Sequence, residues 1–275
     1  MNKKHTRIAF IGAGNMASSL VGGLIAKGFP ASQLSASDPF SASREQMSRQ
    51  YGVQVSDNNH VAAADASVLI LAVKPQVMKE VALDLATTVQ EKKPLIISIA
   101  AGITINSLQR WLGGNVAIVR CMPNTPALVQ LGATGLFASP QVSDEQKTTA
   151  KNIMDAVGIS LWLKQEQDLD AVTALSGSGP AYYFLLMEAM IAAGIRQGLD
   201  AEVARQLTLQ TALGAATMAS SSKENPAELR RKVTSPKGTT EQAIMTFQSR
   251  HFESVVDEAL EAARRRSLEL SKVYE

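Results

Sequence analysis

Residues Arg7 to Gly28 read RIAFIGAGNMASSLVGGLIAKG. A short apolar run meets Gly12 and Gly14, and a stretch rich in small residues follows from Asn15 to Lys27, with Gly28 placed as its C-terminal cap. This is the pattern of a strand, a tight turn and a helix. Gly12, Gly14 and Ala17 fall on the G-x-G-x-x-G/A spacing of a dinucleotide-binding turn. Glycine at the first two places permits the turn and lets a pyrophosphate approach the backbone. A small third residue lets helix and strand pack closely, and the helix N-terminus favours the phosphate charge. A strand-to-helix turn without a ligand fits the same few residues, so the rest of the chain has to decide.

The runs LSAS, SVLILAV, LIISI, AIVRCM, TGLFA and ISLWL continue the strand signal, several of them apolar at nearly every position, as expected for strands covered on both faces. Helical stretches lie between them, for instance Ser41 to Tyr51 with Gly52 after it. Strand and helix in alternation imply an α/β domain with a parallel sheet and right-handed crossovers. After Lys164 the strand signal stops. Ala181 to Gln197, Ala201 to Met218, Ala227 to Lys232, Thr240 to Ser249 and Ser254 to Tyr274 read as helices, with Asn225 as N-cap and Pro226 at the first helical position of one of them. The expected division is therefore a Rossmann-like dinucleotide-binding domain over residues 1–164 and an all-α domain over 165–275.

At 275 residues and 45% hydrophobic content the chain can bury a large core. Its 27 basic and 25 acidic residues are interspersed and leave a net charge of +2, so no overall field draws it to nucleic acid or an anionic membrane. The runs RRK (230–232) and RRR (264–266) read as solvated helix faces. The stretch Ala181 to Ile195 is too short to span a bilayer and carries Glu188 in its middle, so it reads as a buried helix. Because it is apolar around almost its whole circumference, and residues 165–275 can hardly enclose it alone, a dimer interface is expected there. The basic residues ahead of the first apolar run resemble a signal peptide, but Gly12, Gly14 and Asn15 break that run early. A single cysteine, Cys121, without a disulfide partner points to a reducing compartment such as the cytoplasm. His5, His60 and His251 are isolated and lack metal-ligand spacing, so no metal is expected.

Asp38 ends the second strand run and is a candidate to hold the adenosine ribose of NAD, whereas Ser35, Ser37 and Ser41 nearby are alternatives that would serve the 2′-phosphate of NADP. The choice between the two cofactors stays open. The loops AVKPQ from Ala72, SIAAG from Ser98 and MPNTPA from Met122 follow strands and should line the nicotinamide end, the two prolines of the last making a rigid wall. In the helical half, LSGSGPAYYF (175–184) is either a helix corner or a place where backbone approaches a ligand; Ser176 and Ser178 have no base partner and no nucleophile-elbow pattern. In VTSPKGTTEQAI (233–244), Thr239 and Thr240 stand where they would cap a helix whose N-terminus suits a carboxylate; an ordinary capped helix after a Ser-Pro turn is the alternative.

Taken together, FIGAGNMA, AVKP, SIAAGIT, MPNTPA, LSGSGPAY and VTSPKGTTEQAI resemble, in order and spacing and over essentially the whole chain, the Δ1-pyrroline-5-carboxylate reductase family of proline biosynthesis. The resemblance implies hydride transfer from NADPH, or NADH, to the imine carbon of 1-pyrroline-5-carboxylate, giving L-proline. It implies that Thr240 hydrogen-bonds the imine nitrogen and that Ser235, Gly238 and Thr239 bind the substrate carboxylate. For the cofactor it selects Ile11, Gly12, Ala13, Gly14, Asn15 and Met16 at the pyrophosphate, Asn59 near the adenosine, Ala72, Val73, Lys74 and Pro75, Ala100 and Ala101 near the nicotinamide, and Glu166. It further implies a homodimer built by interlocking the C-terminal helices, often assembled into decamers of five dimers. Two residues depart from the family's pattern. Lys237 stands where a glycine is usual, which costs on the order of 1 kcal/mol if φ is positive there, unless its ammonium assists the substrate carboxylate. Asp38 stands where NADPH-preferring members often have a small polar residue. Another imine or β-hydroxyacid reductase, or an NAD(P)-sensing protein without turnover, are the competing readings.

Overall fold

The computed structural model describes residues 6–274, so His5 and the basic start of the chain lie outside the described residues. Two compact units are present: Met1–Ser178 together with Ala262–Glu275, and Gly179–Glu261.

The first unit is built on an eight-stranded sheet. In chain order it contains β1 (Ile8–Ile11), α1 (Asn15–Ala26), β2 (Leu34–Ser37), α2 (Ser41–Tyr51), β3 (Gln54–Ser56), α3 (Asn59–Ala63), β4 (Val68–Leu71), α4 (Pro75–Lys92), β5 (Leu95–Ser98) and α5 (Ile105–Trp111). Then come β6 (Ile118–Met122), β7 (Gly132–Ala138), α6 (Asp144–Met154), β8 (Gly158–Trp162) and α7 (Asp168–Val172). The strand order is β3-β2-β1-β4-β5-β6-β7-β8. The expected parallel sheet holds through β6 and from β7 to β8, but β7 runs antiparallel to β6. The physical reason is the short Pro123–Leu131 link, which holds only a 3-10 turn, whereas a parallel return needs a crossover of a dozen or more residues.

The near-continuous apolar character of the strands follows from burial on both faces. Ile8, Phe10, Val68, Ile70, Ile97, Val119 and Cys121 pack with Ala17, Leu20, Val21 and Leu24 of α1. The alternate residues Ala9, Ile11, Leu69, Leu71, Ile96 and Ile118 pack with Met78, Ala82, Leu85 and Val89 of α4 and Leu108 and Trp111 of α5. Two-residue alternation thus feeds two cores. Burial pushes the Cys121 thiol well above its ordinary value, which makes it a core residue rather than a nucleophile.

The register aligns the strand ends: Ile11 sits opposite Ser37 and Leu71, Leu71 opposite Ser98, and Ser98 opposite Arg120. The loops that follow therefore leave the sheet at one edge. Strand order reverses beside β1, with β2 on one side and β4 on the other, which is the switch point where ligands bind in open α/β sheets. The tail of the last helix also belongs to this unit: the buried Ser267 hydroxyl donates to Asp170 Oδ1 of α7 at 2.6 Å.

The second unit is helical, comprising α8 (Gly179–Arg196), α9 (Ala201–Ser221), α10 (Pro226–Lys232), α11 (Thr239–Ser249) and the start of α12 (Phe252–Val273). Asn225 caps α10 as expected, in a capping box closed by Glu228. The stretch read as a buried helix is α8, and within one chain it is exposed: Tyr183, Phe184 and Leu185 are 67%, 64% and 67% accessible. This unit holds too little chain to wrap an all-apolar helix, so the apolar surface is left outward. Among the described residues no helix is long and apolar enough to cross a membrane.

Candidate active site

The glycine turn is set by close packing. Gly12 has φ +100°, and a Cβ there would lie 2.7 Å from the Ala72 carbonyl oxygen, so only glycine fits. Its N–H donates to Ser37 O at 2.8 Å, and Ala72 N–H donates to Ile11 O at 2.8 Å, which ties the turn to β2 and β4. Gly14 is the N-cap of α1, with no side-chain cap, and a Cβ there would meet nothing within 4 Å. Gly14 and Asn15 are exposed, Met16 is half-buried, and Ile11, Gly12 and Ala13 are buried. An uncapped helix start over open space, reached across a glycine, is a cradle that fits a pyrophosphate.

Around it, the structure brings most of the expected nucleotide residues to the same edge of the sheet. Asp38 follows β2; its Oδ2 accepts Ala13 N–H and its Oδ1 accepts Phe40 N–H, each at 2.9 Å. Asn59 opens α3, and its side-chain oxygen accepts the Ser37 hydroxyl at 2.7 Å. Ala72 and Val73 are half-buried after β4, exposed Lys74 is the N-cap of α4, and Pro75 is its first residue. Ala100 is buried and Ala101 half-buried in the loop after β5.

Glu166 acts differently from a surface ligand. Its Oε1 accepts Ile105 N–H at the start of α5 at 2.8 Å and the Arg120 guanidinium of β6 at 2.9 Å. It thereby fixes the end of the Ala100–Thr104 loop, and Arg120, only 6% exposed, has its buried charge compensated. In the MPNTPA loop, Asn124 donates to Ser176 O and accepts Ala133 N–H, both at 2.9 Å, which supplies the rigidity expected from its prolines. Ser176 lies in a single π-turn, Thr173–Gly177, and its hydroxyl donates back to Val172 O, as suits a helix corner.

The candidate substrate loop lies in the helical unit. Ser235, Pro236, Lys237 and Gly238 form a β-turn closed by Gly238 N–H donating to Ser235 O at 3.0 Å. Lys237 has φ +60°, the left-handed value demanded at the third place of a type II turn, so the expected backbone cost is present. Its N–H donates to Glu241 Oε2 at 2.7 Å, which repays part of that cost. The expectation that Thr239 and Thr240 cap α11 is corrected: Gly238 is the N-cap, without a side-chain cap, and the two threonines occupy the first turn. The turn hydrogen bond pulls Gly238 over Ser235, leaving the Ser235, Thr239 and Thr240 hydroxyls exposed. Uncapped N–H groups with three hydroxyls beside them suit a carboxylate.

The turn yields a stability prediction. Lys237→Gly relieves the left-handed strain and raises unfolding free energy by up to about 1 kcal/mol, less the extra freedom of glycine in the unfolded chain. Urea denaturation checks it, and a loss of stability would show that the lysine side chain contributes more than its backbone costs.

Two residues escaped the sequence reading. Arg120 sits inside an apolar strand run, and Arg44 of α2 donates through Nη1 to Asp38 O at 2.7 Å and Pro39 O at 2.9 Å. Neither belongs to a local motif; an arginine inside an otherwise apolar strand run was the available signal for the first.

A family model described as pyrroline-5-carboxylate reductase dimerisation matches residues 166–270, and one described as NADP oxidoreductase, coenzyme F420-dependent, matches residues 7–102. A pyrroline-5-carboxylate reductase of Pseudomonas aeruginosa is 57% identical over 266 residues, covering 97% of each chain. Among solved structures, a pyrroline-5-carboxylate reductase of Coxiella burnetii superposes with a TM-score of 0.94 at 44% identity, covering 97% of this chain and 99% of that one. The Plasmodium falciparum pyrroline carboxylate reductase, solved with NADP bound, gives 0.86 at 29% identity, covering 97% and 98%. A glycine turn at the sheet's switch point, an uncapped helix start beside three hydroxyls, and this identity across nearly the full length lead to one conclusion: the chain belongs to the pyrroline-5-carboxylate reductase family.

Proposed function

We propose that the protein reduces 1-pyrroline-5-carboxylate to L-proline with NADPH in preference to NADH. The observation that carries this reading is the full-length 57% identity to a pyrroline-5-carboxylate reductase, joined to a nucleotide cradle whose Gly12 can be no other residue. A nicotinamide held by this cradle would supply the hydride that forms the new C–H bond at the imine carbon.

The chain's own residues have little proton chemistry to do. A protonated imine accepts hydride and keeps its proton as the amine of proline, so the main requirements are position and one hydrogen-bond partner. Thr240 is that partner, its hydroxyl held at the imine nitrogen. Ser235, Gly238 and Thr239 take the carboxylate at the start of α11, with the Lys237 ammonium adding charge. Ile11 to Met16 hold the pyrophosphate, Asp38 and Asn59 stand at the adenosine end, Ala72, Val73, Lys74 and Pro75 with Ala100 and Ala101 shape the nicotinamide end, and Glu166 steadies the last of these loops. Supplying 1-pyrroline-5-carboxylate alongside β-hydroxyacids and acyclic imines tests the substrate assignment. NADPH oxidation confined to the cyclic imine supports it, and turnover of a β-hydroxyacid instead would replace it.

The protein works as a cytoplasmic homodimer, with a decamer of five dimers as its larger assembly. The exposed Tyr183, Phe184 and Leu185 on α8 are the apolar surface that a second copy covers. Leu185→Asp is expected to shift the dimer to monomer in sedimentation equilibrium, since a charge forced into an apolar interface is unpaired. A dimer of unchanged affinity would place the interface elsewhere.

A further inference from the structure

An acidic residue at the end of the second strand is usually taken as the ligand of the adenosine ribose, and by that rule Asp38 would favour NADH. The geometry around Asp38 argues otherwise. The residue is only 9% exposed, and both carboxylate oxygens already accept backbone N–H groups, Oδ2 from Ala13 inside the glycine turn and Oδ1 from Phe40. Its charge is thus directed into the protein, where it holds the second residue of the G-A-G turn in place.

The cation at the same strand end is Arg44. Its Nη1 is pinned by the carbonyls of Asp38 and Pro39, and among the described residues its Nε and Nη2 donate to no protein acceptor. The first turn of α2 has no acidic residue and no side-chain cap, and it carries the Ser41 and Ser43 hydroxyls. The nearest carboxylate on the same helix, Glu45, is paired with Arg49 at 3.0 Å. A half-buried guanidinium fixed by one nitrogen, its other two nitrogens donating to no protein acceptor, on a helix turn that also carries two hydroxyls, is suited to receive a phosphate.

We propose that Asp38 is a positioning residue for the glycine turn, serving either nicotinamide cofactor alike, and that Arg44 is the residue that selects the 2′-phosphate. The inference rests on the reading that this unit binds NADPH.

The test is equilibrium binding to the full-length protein of three probes: NADPH and NADH by their fluorescence, and 2′,5′-ADP by calorimetry. Arg44→Leu is expected to weaken NADPH and 2′,5′-ADP by at least about tenfold while NADH changes less than about twofold, and Arg44→Lys to recover part of the loss. Asp38→Asn is expected to weaken NADPH and NADH by similar factors, leaving their ratio within about threefold of the original. If Arg44→Leu leaves NADPH unchanged, or weakens NADH equally, Arg44 only caps two carbonyls and the proposal is overturned. If Asp38→Asn weakens NADH alone, Asp38 is a ribose ligand and the proposal is likewise overturned. Should Asp38→Asn fail to fold, the two Arg44 variants decide. A wild-type protein that binds none of the three probes would overturn the cofactor reading itself, a result distinct from failure of the Arg44 assignment.

Discussion

Gly12→Val protein is expected to bind NADPH at least about a hundredfold more weakly than the wild type and to unfold at a lower temperature. Two costs act together. At φ +100° a β-branched residue is strained by about 1–3 kcal/mol, and its Cβ would start 2.7 Å from Ala72 O and 2.9 Å from Ala72 C, both backbone atoms that cannot rotate aside. Relief requires β1 to move from β4, which disturbs the Ala72-to-Ile11 hydrogen bond at the switch point and shifts the start of α1, the proposed pyrophosphate cradle. Gly14→Ala is the control, since a Cβ there meets nothing within 4 Å and folding should survive. Fluorescence titration and a thermal melt on both variants check the claim; a Gly12→Val protein with native affinity would show that the cradle lies elsewhere.

Thr240→Ala should cut turnover by at least about tenfold while cofactor affinity stays nearly intact. A hydrogen bond to a charged group contributes about 1.5–3 kcal/mol, enough for roughly ten- to hundredfold in rate if it holds the charged imine nitrogen in the geometry that hydride transfer requires. Thr240 is exposed at the start of α11 and is not its cap, so truncation removes no folding contact that Gly238 does not already supply. The effect should therefore fall on kcat, with the thermal melt unchanged. Equal loss of NADPH binding, or normal turnover, would remove Thr240 from the proposed chemistry.

Much of the first unit was legible because its signals are local. The β1–α1 turn is written in Gly12 and Gly14, and the end of α2 in Gly52, which adopts φ +68° as a left-handed cap. The Ser-Pro pair announced a turn, and the glycine usual in the family at the place of Lys237 raised the question of a positive φ, which the structure answers with +60°. What stayed hidden depends on partners distant in the chain. Strand β3 was missed because Gln54, Val55 and Ser56 form a short, partly exposed edge strand with no apolar run. The reversed direction of β7 was not readable, since an apolar pattern carries no polarity of its own; only the short Pro123–Leu131 link hinted at it. The all-apolar character of α8 was plain, but its cover was not, because sequence shows that a surface must be buried and not by whom. For the proposed site residues, the place in the fold was legible and the hydrogen-bond partners were not. Asp38 sat where a ribose ligand is expected, yet its carboxylate faces Ala13, and Glu166 meets Arg120 and Ile105 across 46 and 61 positions of sequence.

The central claim is best tested by mixing purified protein with NADPH and 1-pyrroline-5-carboxylate, following absorbance loss at the nicotinamide band and L-proline by chromatography in the same sample. The account predicts one L-proline formed for each NADPH oxidised, with NADH slower. NADPH bound but not oxidised, with no proline formed, would contradict it and make the protein a nucleotide-binding relative that has lost the reaction.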